Sequence, residues 1–382
     1  MPALRTSCFS YLTVLFLCLS CKEKTTTTTI ATNTSPLKKL EVLHAKGFSV
    51  DYYTDYKLVT ILQSGFKTIK SIQYALIDRN KPRPINLPTG ATVLEIPLQS
   101  MICLSTTHAP LLTEIGEIDK VIGFADSKYS GMKALQEQVK NGKTKDIVGQ
   151  NGTTNIELIV SLQAQAIMSY SEKDYHALTK LGQKVLINTE YLEVSPLGRA
   201  EWIKFGAVFF NKEELAEQFF KTIENEYMAV KQEVAKISQK PTIFGTIPYS
   251  GTWYMPAGQS FAATIWKDAG GLYAWQDSEG TGSLQLSIEQ AIMKAQHADI
   301  WINTGSFASL NELLATDNRF THFKAVKTNQ VYNCNKRVTA GGGSEFYEYG
   351  VIRPDIVLKD LVKILHPDLL PTHELFFYQK LK

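Results

Sequence analysis

Between Lys39 and Leu98 the chain alternates short β-prone runs with turns: "FSVDYYT", "YKLVTILQ", "SIQYALIDR" and, after the proline-rich "NKPRPINLPTG", "ATVLEIPL". From Met101 the rhythm changes. "MICLS" predicts a buried strand, and "APLLTEIGEIDKVIGF" a helix feeding a second strand. "NIELIVSLQAQAIMSY" and "DYHALTKLGQKVLIN" each predict a further helix and strand, which together read as a mostly parallel sheet flanked by helices. Between Pro196 and Lys240 the text is helical almost throughout. Leu215, Phe219, Ile223, Tyr227, Val230, Val234 and Ile237 recur at steps of three and four, so one stripe is apolar. The spacing predicts a helix from Lys212 to about Gln239, roughly 40 Å long, opened by an Asn211–Glu214 capping box and closed by Pro241. The helix–strand alternation then resumes with "TIFGTI", "SFAATIWKDAGG", "SIEQAIMKA", "DIWINT" and "QVYNC". The chain ends on the amphipathic helix "PDIVLKDLVKIL".

One small unit occurs twice. The segment from Asn155 and the segment "SIEQAIMKAQHADIWIN" from Ser287 both place a capping residue before Ile-Glu, then an apolar stretch, a Gln and a hydrophobic run. The pattern predicts an α/β protein of two similarly built, Rossmann-like lobes, residues 38–195 and 241–382, joined by the helical segment 196–240. A length of 382 residues also exceeds what one hydrophobic core usually covers.

A hydrophobic share of 44% with 20% charge fits a packed globular body. The net charge of +3, with lysines spread among glutamates, excludes the basic stripe of a nucleic-acid binder. Near the N-terminus, Arg5 precedes the run "FSYLTVLFLCL", too short to span a membrane and suited to a secretory signal over residues 1–20. "CLSCKEK" resembles a bacterial lipoprotein processing site with Cys21 as the lipidated residue, although Cys18 stands where leucine is usual; an ordinary signal peptide cut nearby is the alternative. Residues 21–37, with "TTTTTIATNTSP", then form a polar tether. Cys103 and Cys334 remain, either as one disulfide or as two buried thiols.

Catalytic signatures are lacking. Ser105 and His108 lie close together, but there is no "GxSxG" elbow and no acid placed to orient the histidine. "GTGSLQ" lacks the third glycine of a dinucleotide fingerprint, and "CxxC" does not occur. "AGGGS" reads as a turn allowing close backbone approach, with no P-loop lysine after it. A bare metal ion needs several converging imidazoles and carboxylates, yet of seven histidines only His108 falls in a predicted cleft loop, where it is a candidate axial ligand of haem.

"MICLSTTHAPLLTEIGEIDKVIGFAD", "VGQNGTTNIELIVSLQAQAIMSY", "LSIEQAIMKAQHADIWINTG" and "FKAVKTNQVYNC" resemble, in order and spacing, the class III substrate-binding proteins of ABC importers. The likeness runs from about Met101 to Leu370. That family includes receptors for ferric siderophores, haem and cobalamin. The resemblance implies a single long backbone helix between the lobes, a ligand cleft between them and only modest closure. The strands before Leu98 are expected as additions to the N-terminal lobe. The resemblance implies a role for Glu157 and Glu289, matched in the repeat, in docking to arginines of a membrane permease; helix capping alone would also favour a glutamate there. Ligand contacts are expected from loops at the carboxyl ends of strands. These are Ser105, Thr106, His108, Tyr129 and Tyr170 in one lobe and Trp253, Tyr254, Arg337 and Tyr347 in the other. The aromatic rings would give flat surface and Arg337 a forked donor.

The expected protein is therefore a monomeric, lipid-anchored receptor on the periplasmic face of a membrane or the cell surface. It would pass an iron complex to an ABC permease and its ATPase, without enzymatic activity or a cofactor of its own. Cobalamin as ligand and a purely adhesive surface lipoprotein are the alternatives.

Overall fold

In the computed structural model of the chain, which describes residues 35–69, 71–149 and 152–382, the β-prone runs before Leu98 form a sheet of their own. The expected signal segment, Cys21 and most of the tether lie outside the described residues. Strands β1 (Lys38–Lys39), β2 (Phe48–Tyr52), β3 (Tyr56–Ile61), β4 (Ile72–Asp78) and β5 (Thr92–Ile96) follow one another in sequence order, antiparallel except for the β4–β5 pair.

The N-terminal lobe is a fully parallel sheet of β6 (Met101–Cys103), β7 (Val121–Phe124), β8 (Lys145–Asp146), β9 (Ala166–Ser169) and β10 (Val185–Ile187), in the order β10-β9-β6-β7-β8. Helices α1 (His108–Glu114), α2 (Lys133–Lys140), α3 (Ile156–Ser161) and α4 (Glu172–Lys180) alternate with these strands. The first sheet does not extend this one, and a single side chain explains why. Tyr74, fully buried on β4, donates its hydroxyl hydrogen to the Val185 carbonyl (3.0 Å) and accepts from the Ile187 amide (2.8 Å). Those are the groups that an added strand beside β10 would need, so the edge is closed by a phenol.

Helices α5 (Pro196–Val208) and α6 (Glu213–Val234) then carry the chain to the other lobe. Every residue of α5 except Arg199 is buried. On one side Phe48 packs against Trp202 and Phe205 at 4.9 and 5.7 Å between ring centres. Helix α6 is the long backbone helix, about 33 Å over its 22 residues. Its buried stripe is Ala216, Phe220, Ile223, Tyr227, Val230 and Val234, so the first turns face inward one residue later than the sequence suggests, leaving Leu215 exposed. The helix ends on the last member of that stripe. The expected capping box does not form: Asn211 takes a left-handed backbone (φ 56°), and its side-chain oxygen accepts from Lys57 Nζ at 2.7 Å.

The C-terminal lobe opens with β11 (Thr242–Gly245), followed by β12 (Pro248–Tyr249), β13 (Thr252–Pro256), α7 (Phe261–Asp268) and β14 (Leu272–Tyr273). Then come β15 (Ser283–Ser287), α8 (Ile288–Ala295), β16 (Ile300–Ile302), α9 (Leu310–Thr316), α10 (Lys324–Lys327) and β17 (Val331–Asn333). Helices α11 (Glu345–Glu348) and α12 (Pro354–Leu365) and strand β18 (Gln379–Lys380) complete it. Its main sheet runs β14-β11-β16-β17-β18, parallel up to an antiparallel last strand, while β12-β13-β15 form a small antiparallel sheet. Cys103, on β6, and Cys334, just after β17, are two separate buried thiols, and burial pushes the Cys334 thiol up to about 11.

Candidate functional site

Both parallel sheets end at one place, a cavity of about 400 Å³ between the lobes. Thr107 follows β6, Glu190 and Tyr191 follow β10, Thr246 follows β11 and Asn303 follows β16, so the polar lining comes from the carboxyl ends of strands. Apolar walls come from Phe261, Ile265 and Trp266 of α7 and from Phe346 and Tyr347 of α11.

Arg199 is the charged donor here. Its Nε donates to the Glu193 carbonyl (3.0 Å) and one terminal nitrogen to the Tyr191 carbonyl (2.9 Å), which fixes the plane of the guanidinium. The Phe261 ring of the other lobe stacks on that plane, its centre 3.8 Å from Cζ. The second terminal nitrogen has no partner among the described residues. Burial pulls the guanidinium down to about 10, opposed by Glu190 and Glu193, so it stays charged at neutral pH. Glu190 sits deeper. Its Oε1 accepts from the Thr107 hydroxyl (2.7 Å), which in turn meets Ser105 Oγ at 3.0 Å, while Oε2 is buried without a partner. Burial raises this carboxyl above the usual range, opposed by the Thr107 hydrogen bond and the Arg199 charge. Asn303 Oδ1 is a second buried acceptor without a partner. Both acceptors belong to residues that line the cavity, and each is buried with its hydrogen bond unfilled.

Backbone strain marks the same rim. Thr246 and Asn303 occupy matching positions after β11 and β16 with φ of 62° and 57°, an outlying conformation for a β-branched threonine. Tryptophans hold it in place: Trp301 Nε1 donates to the Thr246 carbonyl (2.9 Å) and Trp253 Nε1 to the Thr246 hydroxyl (2.9 Å).

That arrangement corrects the expectation for Trp253. It is fully buried among Phe244, Trp301, Phe320 and Phe323 and supports the rim from behind, so it offers no face to the cleft. His108 is likewise a core residue: it is fully buried at the start of α1, both ring nitrogens are sealed from the cavity, and this removes it as a haem ligand; burial also pulls its imidazole down to about 3. Arg337 is forked onto Glu345 through Nε and one terminal nitrogen (2.5 and 3.2 Å), lies over the Phe376 ring and is not part of the cavity lining. Tyr347 does line the cavity, with its hydroxyl end turned back to Cys334 Sγ at 3.7 Å. Ser105 stands one hydrogen bond behind Thr107, and the Thr106 carbonyl accepts from the Ala109 amide. Tyr170 meets the site only through Tyr191, edge to face at 6.1 Å. Tyr129 and Tyr254 are exposed outside the lining.

Arg199, Glu190, Tyr191, Thr246, Phe261 and Trp266 are lining residues that the sequence did not mark. The loop after "KVLIN", where Glu190 and Tyr191 lie, is itself a carboxyl end of a strand, the signal that marks the other binding loops. No comparable signal marked Arg199 within a buried helix.

Away from the cleft, Glu157 and Glu289 both hold the second position of their helices, α3 and α8, behind the capping residues Asn155 and Ser287. Both are exposed, and Glu289 is paired with Arg319 at 2.7 Å. Among the described residues no group of three or more His, Cys, Asp or Glu side chains is placed to hold a metal ion, and no helix is long and apolar enough to cross a membrane.

Two parallel-sheet lobes, one long connecting helix and a lined cavity at the facing strand ends define a two-lobed solute-binding protein. The chain belongs to the periplasmic binding protein family, whose model matches residues 101–338. It is 27% identical to an uncharacterized lipoprotein of Methanocaldococcus jannaschii, over 88% of this chain and 84% of that one. Among solved structures it is similar to a possible iron-binding (periplasmic solute-binding) protein from Staphylococcus epidermidis (TM-score 0.55, 18% identity, covering 70% of this chain and 98% of that one). It is also similar to an ABC transporter substrate-binding protein from Listeria monocytogenes (TM-score 0.54, 18% identity, 71% and 99%). The first sheet, β1 to β5, lies before the matched segment.

Proposed function

We propose that the protein is the receptor of an ABC importer, anchored by a lipid at Cys21, and that it captures an iron complex of the ferric siderophore type for delivery to the permease. The observation that carries this reading is the Arg199 guanidinium, stacked on Phe261 inside an aromatic-walled cavity with one N–H end unused. A planar cation on an aromatic wall suits a flat ligand rich in anionic oxygen, such as a catecholate or hydroxamate bound to iron. The volume, about 400 Å³, is near the lower end of the ~300–1,000 Å³ typical of small-molecule sites, which favours a compact chelate over a corrinoid with its nucleotide tail.

Titrating the protein with ferric catecholate and hydroxamate siderophores, haemin and cyanocobalamin tests this by tryptophan emission. A ferric siderophore should quench Trp266, and the quenching should shrink in Trp266→Phe. Flat responses to every iron complex would sink the reading.

Delivery rests on the exposed pair Glu157 and Glu289, at equivalent places on the two lobes. A permease arginine would replace Arg319 as the partner of Glu289. The double variant Glu157→Arg/Glu289→Arg should bind ligand as the wild type does yet fail to support uptake in cells. Normal uptake by that variant would remove both residues from the docking surface.

A further inference from the structure

The lobes touch where the segment 339–348 of the C-terminal lobe meets residues 128–131 of the other. Thr339 Oγ1 donates to the Lys128 carbonyl at 3.0 Å. A Cβ on Gly341 would lie 2.4 Å from the Lys128 carbonyl oxygen, and one on Gly343 would lie 2.0 Å from that of Tyr129, so the two backbones meet this closely only because glycine stands at both places. At the end of the segment the Glu348 carboxyl crosses the gap. One oxygen accepts from the Ser130 hydroxyl and the other from the Gly131 amide at 2.6 Å. Phe346 and Tyr347, which wall the cavity, immediately precede it on α11, so the seat of Glu348 sets where that wall stands.

We propose that Glu348 is a positioning residue that latches the two lobes together over the cavity, and that the latch closes with uptake of a proton. Among the described residues no cation pairs with this carboxyl. Arg337 is committed to Glu345, Arg353 to Asp355, and the Lys128 ammonium lies over the Tyr129 ring at 4.8 Å. Glu114, which also faces this junction, accepts from the Tyr349 hydroxyl. Burial pushes the Glu348 carboxyl from the usual 4.5 up to about 7, opposed by the Ser130 and Gly131 hydrogen bonds and reinforced by the like charge of Glu345.

Separating the lobes returns the group to water and its ordinary value. The closed form therefore binds the extra proton between pH 7 and 4.5, closure strengthens as pH falls below 7, and the gain is absent above it. Between pH 8 and pH 5 the ratio of closed to open molecules should rise by about ten- to a few hundredfold.

Electron–electron double resonance between nitroxides on cysteines introduced at the exposed positions Lys140 and Asn311, on α2 and α9, reads the interlobe distance in the full-length chain without ligand. The wild type should shift toward the shorter distance at pH 5, and Glu348→Gln, permanently neutral and nearly isosteric, should show the shorter distance at both pH values. An unchanged wild-type distribution between pH 8 and pH 5 overturns the proposal, whatever the variant does. A Glu348→Gln profile that follows the wild type overturns it equally, because the proton would then act elsewhere.

Discussion

Replacing Arg199 by leucine is expected to weaken binding of a ferric siderophore about a hundredfold and to lower thermal stability as well, since its backbone hydrogen bonds and aromatic stack go with it. The guanidinium makes two backbone hydrogen bonds and one aromatic stack, and the residue lines the cavity. Truncating one partner of a buried, charge-assisted contact typically costs about 2–5 kcal/mol, and about 2.7 kcal/mol is a hundredfold in affinity. The loss should be larger than for Tyr347→Ala, since that ring is 62% exposed. Arg199→Lys should recover little, because an ammonium cannot both span the Glu193 and Tyr191 carbonyls and keep a flat face on Phe261. Titration calorimetry with the siderophore that quenches the wild type measures the effect. Equal affinity in Arg199→Leu would show that the ligand sits elsewhere in the cleft.

Glu201→Ala should unfold far more easily than the wild type, by about 3–5 kcal/mol, the usual result of removing one side of a buried ion pair. Its carboxylate is wholly buried on α5 and accepts from the amides of Leu43, His44 and Ala45 at 3.0, 2.7 and 2.8 Å, and from Lys204 Nζ at 3.0 Å. Without it three amides lose their acceptor, and the buried Lys204 ammonium keeps only Glu217 and the Glu41 carbonyl. The damage should begin in the first sheet. Glu193, which accepts from the Lys46 and Gly47 amides and from Trp202 Nε1, is left as the main polar clamp on the turn before β2. Urea unfolding followed by hydrogen exchange should therefore show β1 to β5 losing protection before the two lobes. A midpoint unchanged from the wild type would mean that packing around Phe48 and Trp202 holds the sheet without the carboxylate.

The difference between Arg337 and Arg199 shows how far the sequence reaches into the site. Arg199 lies in a helical run, and Arg337 in a loop where a ligand donor is expected. Its neutralising partner, Glu345, lies eight residues away across a turn, and only the folded loop brings them together. Arg199 lies in a helix otherwise buried on all sides, and helical periodicity gives no hint that this one position opens on a cavity. The tryptophans divide in the same way. Trp253 and Trp266 are both fully buried, yet strand pairing with β15 sets the first behind the rim while α7 sets the second in the lining of the cavity.

By itself the sequence determined the layers: alternating strand and helix periods, the doubled Ile-Glu unit and the long apolar stripe are local properties of the chain, and they fix two parallel-sheet lobes with a connecting helix. Only the tertiary structure decided three further matters. Ala216 and Phe220 face inward instead of Leu215 and Phe219 because either pair satisfies a step of three or four, and packing chooses between them. The first five strands stand apart because a tyrosine hydroxyl, and not another strand, closes the edge of β10. The cavity gained Arg199, Glu190 and Trp266 because a site between two lobes is made of contacts distant in the chain, which no local period records.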